Sequence, residues 1–149
     1  DDRIENFVSA FSECSAFLNA VKTFYRSNAG LTISGLSGFA TALFLYSFYK
    51  KIDQPILLIT NDSNEAEYIR DDLELFNLDD SVCYLPEPPN SSFLFSDTES
   101  LNAYFTNDTL QKLSTGQNTI IVATLSSLKS KFPLSDDFNK LKRPITSTK

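Results

Sequence analysis

The chain alternates between short uninterrupted apolar runs and longer stretches in which apolar residues recur every three or four positions. The short runs predict strands buried on both faces, and the periodic stretches predict helices. The predicted strands are residues 31–34, 55–60, 81–85 and 119–124. The predicted helices are residues 4–25, 39–51, 65–76, 97–114 and 125–132. This alternation predicts an α/β fold with three layers, in which right-handed crossovers place helices on both faces of a parallel sheet.

The spacing of apolar residues also predicts which helix faces are buried. The 39–51 helix has hardly any polar face, so we expect it to be well covered and the strand before it, residues 31–34, to be central in the sheet. Ala66, Ile69, Leu73 and Phe76 form the predicted inner face of the 65–76 helix. The predicted inner face of the 97–114 helix consists of Leu101, Tyr104, Phe105, Leu110 and Leu113.

A glycine turn between the first predicted strand and its helix is the most informative segment. It resembles a P-loop, GxxxxGK[ST], in which backbone N–H groups cradle phosphates, Lys reaches the β/γ oxygens and a hydroxyl binds Mg²⁺. When Gly38 is aligned with the second glycine, Phe39 replaces the Lys and Ala40 replaces the Ser/Thr. The sequence therefore predicts a degenerate phosphate loop without its cation or metal ligand. Its residues are Gly35, Ser37, Gly38, Phe39, Ala40 and Thr41.

Two interpretations of this turn remain open at the level of sequence. Phe39 is expected to place a ring where phosphate would sit, which favours a purely structural turn. A bare helix N-terminus still attracts anions, so a phosphate- or nucleotide-binding protein that uses Gly35–Gly38 is the alternative. The GxGxxG spacing of a dinucleotide site is absent, and none of the predicted strands ends in an acidic pair that would hold Mg²⁺.

Composition narrows the possible chemistry. The absence of His removes His-based acid–base and nucleophilic catalysis, and the two cysteines, Cys14 and Cys83, do not form a CxxC pair. We therefore predict no metal site and two buried, reduced thiols. The formal charge of −6 argues against strong binding of DNA. No apolar run approaches the length of a membrane span. Reduced thiols fit a cytoplasmic protein, and the absence of Met leads us to expect a fragment of a longer protein.

Several side chains are assigned to the surface or left open. The adjacent carboxylates Asp71-Asp72, Asp79-Asp80 and Asp136-Asp137 are interpreted as solvated or capping residues, because neighbouring positions on a helix point in different directions. The apolar cluster Phe93-Leu94-Phe95 fits either a core or an exposed contact.

The order of the segments resembles that of superfamily 2 helicases, with residues 33–41, 58–62 and 121–128 at the positions of three helicase motifs. A narrower resemblance is to the N-terminal UvrB-like domain of bacterial transcription-repair coupling factors (Mfd), over residues 29–133. It rests on GLSGFATAL (35–43), QPILLITND (54–62), EAE (65–67), DDL (71–73), YLP (84–86), DTE (97–99) and IIVATLSSL (120–128).

This resemblance implies a P-loop NTPase-like fold that hydrolyses nothing itself. In that family the domain is part of the module that recruits UvrA to lesions at stalled RNA polymerase, and ATP and Mg²⁺ serve a translocase motor elsewhere in the full-length protein. UvrA contacts are expected outside this chain. Together with the apolar periodicity, it leads us to expect three parts: an amphipathic N-terminal helix (1–28) that packs on the domain, a degenerate RecA/UvrB-like α/β domain (29–133), and a linker or the start of a following subdomain (134–149).

Overall fold

The computed structural model describes residues 2–26, 30–76, 80–88, 97–133, 137–138 and 140. Helices and strands alternate through most of this part of the chain, as the pattern predicts. The helices are α1 (Asp2–Glu13), α2 (Ser15–Arg26), α3 (Phe39–Ile52), α4 (Ser63–Glu74), α5 (Asp97–Ser114) and α6 (Leu125–Leu128). The strands are β1 (Ile56–Thr60), β2 (Val82–Leu85) and β3 (Ile120–Thr124). None of the described helices combines the length and the apolarity that a membrane span needs.

The three strands form one parallel sheet in the order β1-β3-β2. Leu58 of β1 and Tyr84 of β2 both pair with Val122 of β3. All five residues of β3 are buried, because this strand has neighbours on both edges and side chains against both faces. The parallel sheet and the α/β class predicted from the apolar runs are confirmed.

The prediction of a strand at residues 31–34 is wrong, and so is its central place. The structure assigns no strand there, and β3 occupies the centre of the sheet. Leu31 and Ile33 are 37% and 39% exposed, so these apolar side chains lack the two-sided burial that stabilises a central strand. Among the described residues β1 pairs with β3 alone, which leaves no ladder that residues 31–34 join.

One face of the sheet carries the main core. Helix α4 packs across it, and α3 packs on α4, so that Leu73 and Ala42 are fully buried with Ile120 and Val122 of β3. The predicted inner face of α4 is confirmed, as is the burial of α3, whose side chains are covered along most of its length. The core cluster consists of Ala42, Leu43, Leu45, Ala66, Ile69, Leu73, Phe76, Tyr84, Ile120 and Val122.

The opposite face of the sheet is less completely covered. Leu128 and Phe132 pack there against a smaller cluster made of Cys83, Leu85, Ile121 and Ala123. Leu57 and Ile59 of β1 point to the same face, by the alternation of side chains along a strand, and each is 51% exposed. Within the described ranges, the predicted third layer is therefore only partly present.

Two helices replace the single N-terminal helix that the periodicity predicts. The chain bends at Cys14, whose Sγ accepts a hydrogen bond from the Phe17 N–H at 3.5 Å and so caps α2. The break lets Phe17 reach the edge of the Phe44 ring on α3, with ring centroids 5.7 Å apart. Cys14 is half-buried rather than buried, whereas Cys83 is buried as predicted. Burial raises the pKa of the Cys83 thiol.

Helix α5 buries only part of its predicted inner face: Phe105 and Leu110 are half-buried, and Phe105 packs against the main core, but the other three residues are exposed. Leu101, Tyr104 and Leu113 are 52%, 64% and 48% exposed, while Thr109 is 1% exposed. The Thr109 hydroxyl donates to the Tyr84 carbonyl oxygen at 3.1 Å, and this bond fixes the polar residue against β2. This hydrogen bond to a strand carbonyl thus fixes the rotation of α5 about its axis. The spacing of apolar residues alone does not predict that rotation.

Some predictions fall outside the described residues. These are the Phe93-Leu94-Phe95 cluster, Asp79 and Asp136.

Candidate functional site

The glycine turn has a backbone that only glycine adopts without strain. Gly35 has φ +86°, and Gly38 has φ +53° with ψ −136°. Gly38 is the N-cap residue of α3, and no side chain caps this helix. The sequence prediction of a tight glycine turn that leads into a helix is confirmed in its geometry.

The backbone N–H groups at this helix start are partly occupied. The Ala40 N–H donates to the Ser37 carbonyl oxygen at 3.2 Å, and the Thr41 N–H donates to the Gly38 carbonyl oxygen at 3.0 Å. A phosphate cradle requires several N–H groups that point together into open space. These two N–H groups are bonded within the turn and do not point to an anion.

The aromatic ring of Phe39 packs sideways instead of covering the turn. It stacks on Phe76 at the end of α4, with centroids 5.2 Å apart and planes inclined by 22°. The expectation that this ring occupies the phosphate position is thereby corrected. The attraction of Phe76 and the main core explains the difference, because the ring gains apolar contact there. Ala40 and Thr41 are both half-buried.

The start of α4 lies close to the glycine turn and is capped by the side chain of the N-cap residue Asp62. Asp62 Oδ1 accepts the Glu65 N–H at 2.9 Å, and Glu65 Oε2 accepts the Asn61 N–H at 3.0 Å. Two carboxylates thus neutralise the positive end of the α4 dipole. The predicted N-cap cluster at residues 61–64 is confirmed.

A cleft of about 810 Å³ lies between these two helix starts. Three of its lining residues carry carboxylates, and no Lys or Arg is among the described residues that line it. A phosphate group in this cleft would face repulsion without a compensating cation. The lining consists of Leu36, Ser37, Gly38, Thr41, Asn61, Asp62, Asn64, Glu65, Tyr68, Ile69 and Asp72.

A hydrogen-bonded group at the carboxyl ends of β2 and β3 was not predicted from the sequence. The Thr124 hydroxyl donates to Glu87 Oε1 at 2.8 Å, and Thr124 and Ser127 cap α6 reciprocally. Thr60 at the end of β1 donates to the Ala123 carbonyl oxygen at 3.3 Å. The recurrence of Thr at the last position of two apolar strands was the available signal. These bonds connect the strand ends to one another and leave Glu87 engaged with protein.

The remaining acidic residues in the described part of the chain form no metal cluster with Cys, Asp or Glu neighbours. Asp71 pairs with Arg70 at 2.6 Å, and Asp80 lies 3.8 Å from the Lys112 ammonium. Asp71 and Asp80 are exposed and Asp72 is half-buried, in agreement with their interpretation as surface residues.

Comparison with known proteins gives a match in sequence. Over 134 residues the chain is 26% identical to the transcription-repair-coupling factor of Bacillus subtilis (strain 168). The chain is similar to a transcription-repair-coupling factor. The match covers 89% of this chain and 11% of that factor, so the chain spans about a ninth of its relative's length. The resemblance seen in the order of the sequence motifs is confirmed.

Other comparisons give no further assignment. No protein-family model matches the chain, and no solved structure matches it significantly.

Proposed function

We propose that this chain is a non-catalytic part of a transcription-repair coupling factor and acts as a scaffold for UvrA recruitment in transcription-coupled nucleotide excision DNA repair. The match to the Bacillus subtilis factor over 89% of the chain carries the proposal. In this proposal ATP, Mg²⁺, RNA polymerase and DNA translocation belong to the full-length parent, which is a cytoplasmic, helicase-like translocase.

The geometry of the cleft supports a non-catalytic role. Phe39 and Ala40 supply neither the cation nor the hydroxyl of a P-loop, and the carboxylates of Asp62, Glu65 and Asp72 oppose bound phosphate. We infer that the glycine turn is a degenerate nucleotide-binding loop which now joins α3 to the segment before it. The alternative of a phosphate-binding protein gains no support from these charges.

A binding comparison between two lengths of the protein tests the proposal. This chain and a longer form that reads through the following subdomain are tagged and presented to the host's UvrA. We expect the longer form alone to retain UvrA, because the family contacts are expected outside residues 1–149. This chain alone should not hold duplex DNA tightly at ~0.15 M salt, given its net charge of −6.

Two outcomes would contradict this account in different ways. Failure of both forms to retain UvrA would reject the assignment to UvrA recruitment. Tight retention by residues 1–149 alone would keep the partner and reject the placement of its contact surface outside this chain.

A further inference from the structure

The outer side of α4 presents an exposed, partly apolar stripe that no described element covers. Glu65, Tyr68, Asp72 and Leu75 follow one another at intervals of three and four residues, which places them along one side of the helix. Tyr68 is 73% exposed and Leu75 is 55% exposed. Isolated exposed apolar residues are common and indicate nothing by themselves. These two indicate a contact surface because each lies beside a cavity.

A cavity borders each end of this stripe. Glu65, Tyr68 and Asp72 line the cleft of about 810 Å³ beside the glycine turn. Leu75 and Glu5 line a second cavity of about 420 Å³ between α1, α3 and the end of α4. Ten residue steps along a helix cover about 15 Å, so the stripe spans the distance of roughly five residues of extended chain.

The charge of this surface is strongly one-sided. Helix α4 carries five acidic residues and Arg70, a net charge of 1 − 5 = −4, against −6 for the whole chain. Arg70 is not available to balance its neighbours, because it pairs with Asp71 at 2.6 Å and its guanidinium lies 5.0 Å from the Tyr84 ring centroid. No Lys or Arg lines either cavity among the described residues, although Lys50 approaches the second cavity over the Tyr46 ring.

We propose that the α4 stripe and its two cavities form a docking surface for an extended basic polypeptide segment of a partner protein. Arg or Lys side chains would enter the cleft beside Asp72 and Glu65, with the Tyr68 ring available for cation–π contact. An apolar side chain of the segment would pack beside Leu75. The charge excludes a phosphate backbone as the occupant, and the apolar positions distinguish a peptide from a small polyamine. This inference does not depend on the partner being UvrA.

Fluorescence anisotropy with a labelled Arg-Leu-Arg-Arg-Leu peptide at ~0.15 M salt tests the proposal. We expect the intact chain to bind, and the double variant Glu65→Gln/Asp72→Asn to bind roughly tenfold more weakly. Gln keeps an oxygen acceptor for the α4 start, so the fold should persist, as circular dichroism would verify. The matched control Glu13→Gln/Asp53→Asn removes two exposed charges elsewhere and should change affinity less than twofold.

A second pair of variants tests the apolar part of the surface. Tyr68→Ala should weaken peptide binding about fivefold, whereas Tyr104→Ala, which removes a 64% exposed ring on α5, should leave it unchanged. Spermine should displace the peptide poorly. Absence of peptide binding, equal losses in the two charge variants, or equally effective competition by spermine would each overturn the proposal. Failure of the longer form to retain UvrA, with peptide binding by this chain preserved, would instead contradict only the repair function.

Discussion

Helices α3 and α4 begin at the same cleft and pack into the same core, yet they are built in opposite ways. Helix α3 is apolar nearly all round and starts at a glycine without a side-chain cap. Helix α4 is amphipathic and starts after Asp62, whose side chain accepts the Glu65 N–H, while the Glu65 carboxylate accepts the Asn61 N–H of the preceding loop. Burial therefore specifies α3, whereas local hydrogen bonds and one buried face specify α4.

This difference bears directly on function. A helix N-terminus attracts an anion through free N–H groups and an unopposed dipole. At α3 the Ala40 and Thr41 N–H groups are bonded within the turn, and at α4 the positive end already faces two carboxylates. We therefore expect a glycine turn before a helix to be insufficient for a phosphate site when its neighbour is acidic.

The largest expected effect on stability is a difference between the buried side and the exposed side of α4. Leu73→Ala should lower the free energy of unfolding by about 2–5 kcal/mol, because Leu73 is fully buried and leaves a cavity. Leu75→Ala, at a 55% exposed position, should cost less than about 0.5 kcal/mol. Urea unfolding measures both. Similar losses at the two positions would show that the outer stripe is also structural.

The start of α3 should be sensitive to the backbone rather than to side chains. Gly38→Ala places a Cβ on a residue with φ +53° and should cost about 1–3 kcal/mol through strain alone, since no neighbour would clash with it. Gly30→Ala is the matched control, because Gly30 has open space around it and no positive φ. Thermal unfolding would compare them. A neutral Gly38→Ala would mean that the turn relaxes freely.

The start of α4 should respond to its cap. Asp62→Ala should lower stability by about 1 kcal/mol, because the Glu65 N–H loses its acceptor. Asp62→Asn keeps an oxygen acceptor and should restore most of that loss, which separates the hydrogen bond from the charge. Equal destabilisation by both substitutions in chemical unfolding would assign the effect to the carboxylate charge instead.

The smallest expected effect is a dependence on high pH. Burial, helped by the nearby Glu5 carboxylate, raises the pKa of the Tyr46 phenol on α3. The unfolded chain ionises such a phenol near pH 10, so folding stability from this residue is complete below that pH and decreases above it. Tyr46→Phe should reduce the fall in melting temperature between pH 9 and 10.5. An unchanged slope would contradict this role of burial.

The apolar patterns predict most of the fold, because in most elements the residues that recur at the strand or helix spacing are also the buried ones. Residues 56–60 and 120–124 are strands, and Ala66, Ile69, Leu73 and Phe76 face the core. The prediction of a central strand at residues 31–34 is wrong because an apolar run forms a central strand only when it has neighbouring strands on both edges. One short run does not reveal whether such neighbours exist. The bend at Cys14 is not predicted because the apolar residues keep the same helical spacing on both sides of it.

The site is less accessible to sequence reasoning than the fold. The glycine turn is visible in the sequence, but the stacking of Phe39 on Phe76 joins residues 37 positions apart. The acidic cleft arises from the approach of two helix starts, and the bond from Thr124 to Glu87 depends on the meeting of strand ends. Tertiary packing creates each of these arrangements, so a linear pattern carries little signal for them.

Titration calorimetry with Mg·ATP tests most directly the claim that the glycine turn no longer serves a nucleotide. The chain should show no saturable heat up to millimolar Mg·ATP, because Phe39 and Ala40 replace the P-loop cation and hydroxyl and the cleft is acidic. The double variant Phe39→Lys/Ala40→Thr should still not hydrolyse ATP, since none of the described strands ends in an acidic pair that would position metal and water. Saturable binding by the unaltered chain at micromolar Mg·ATP would contradict the account.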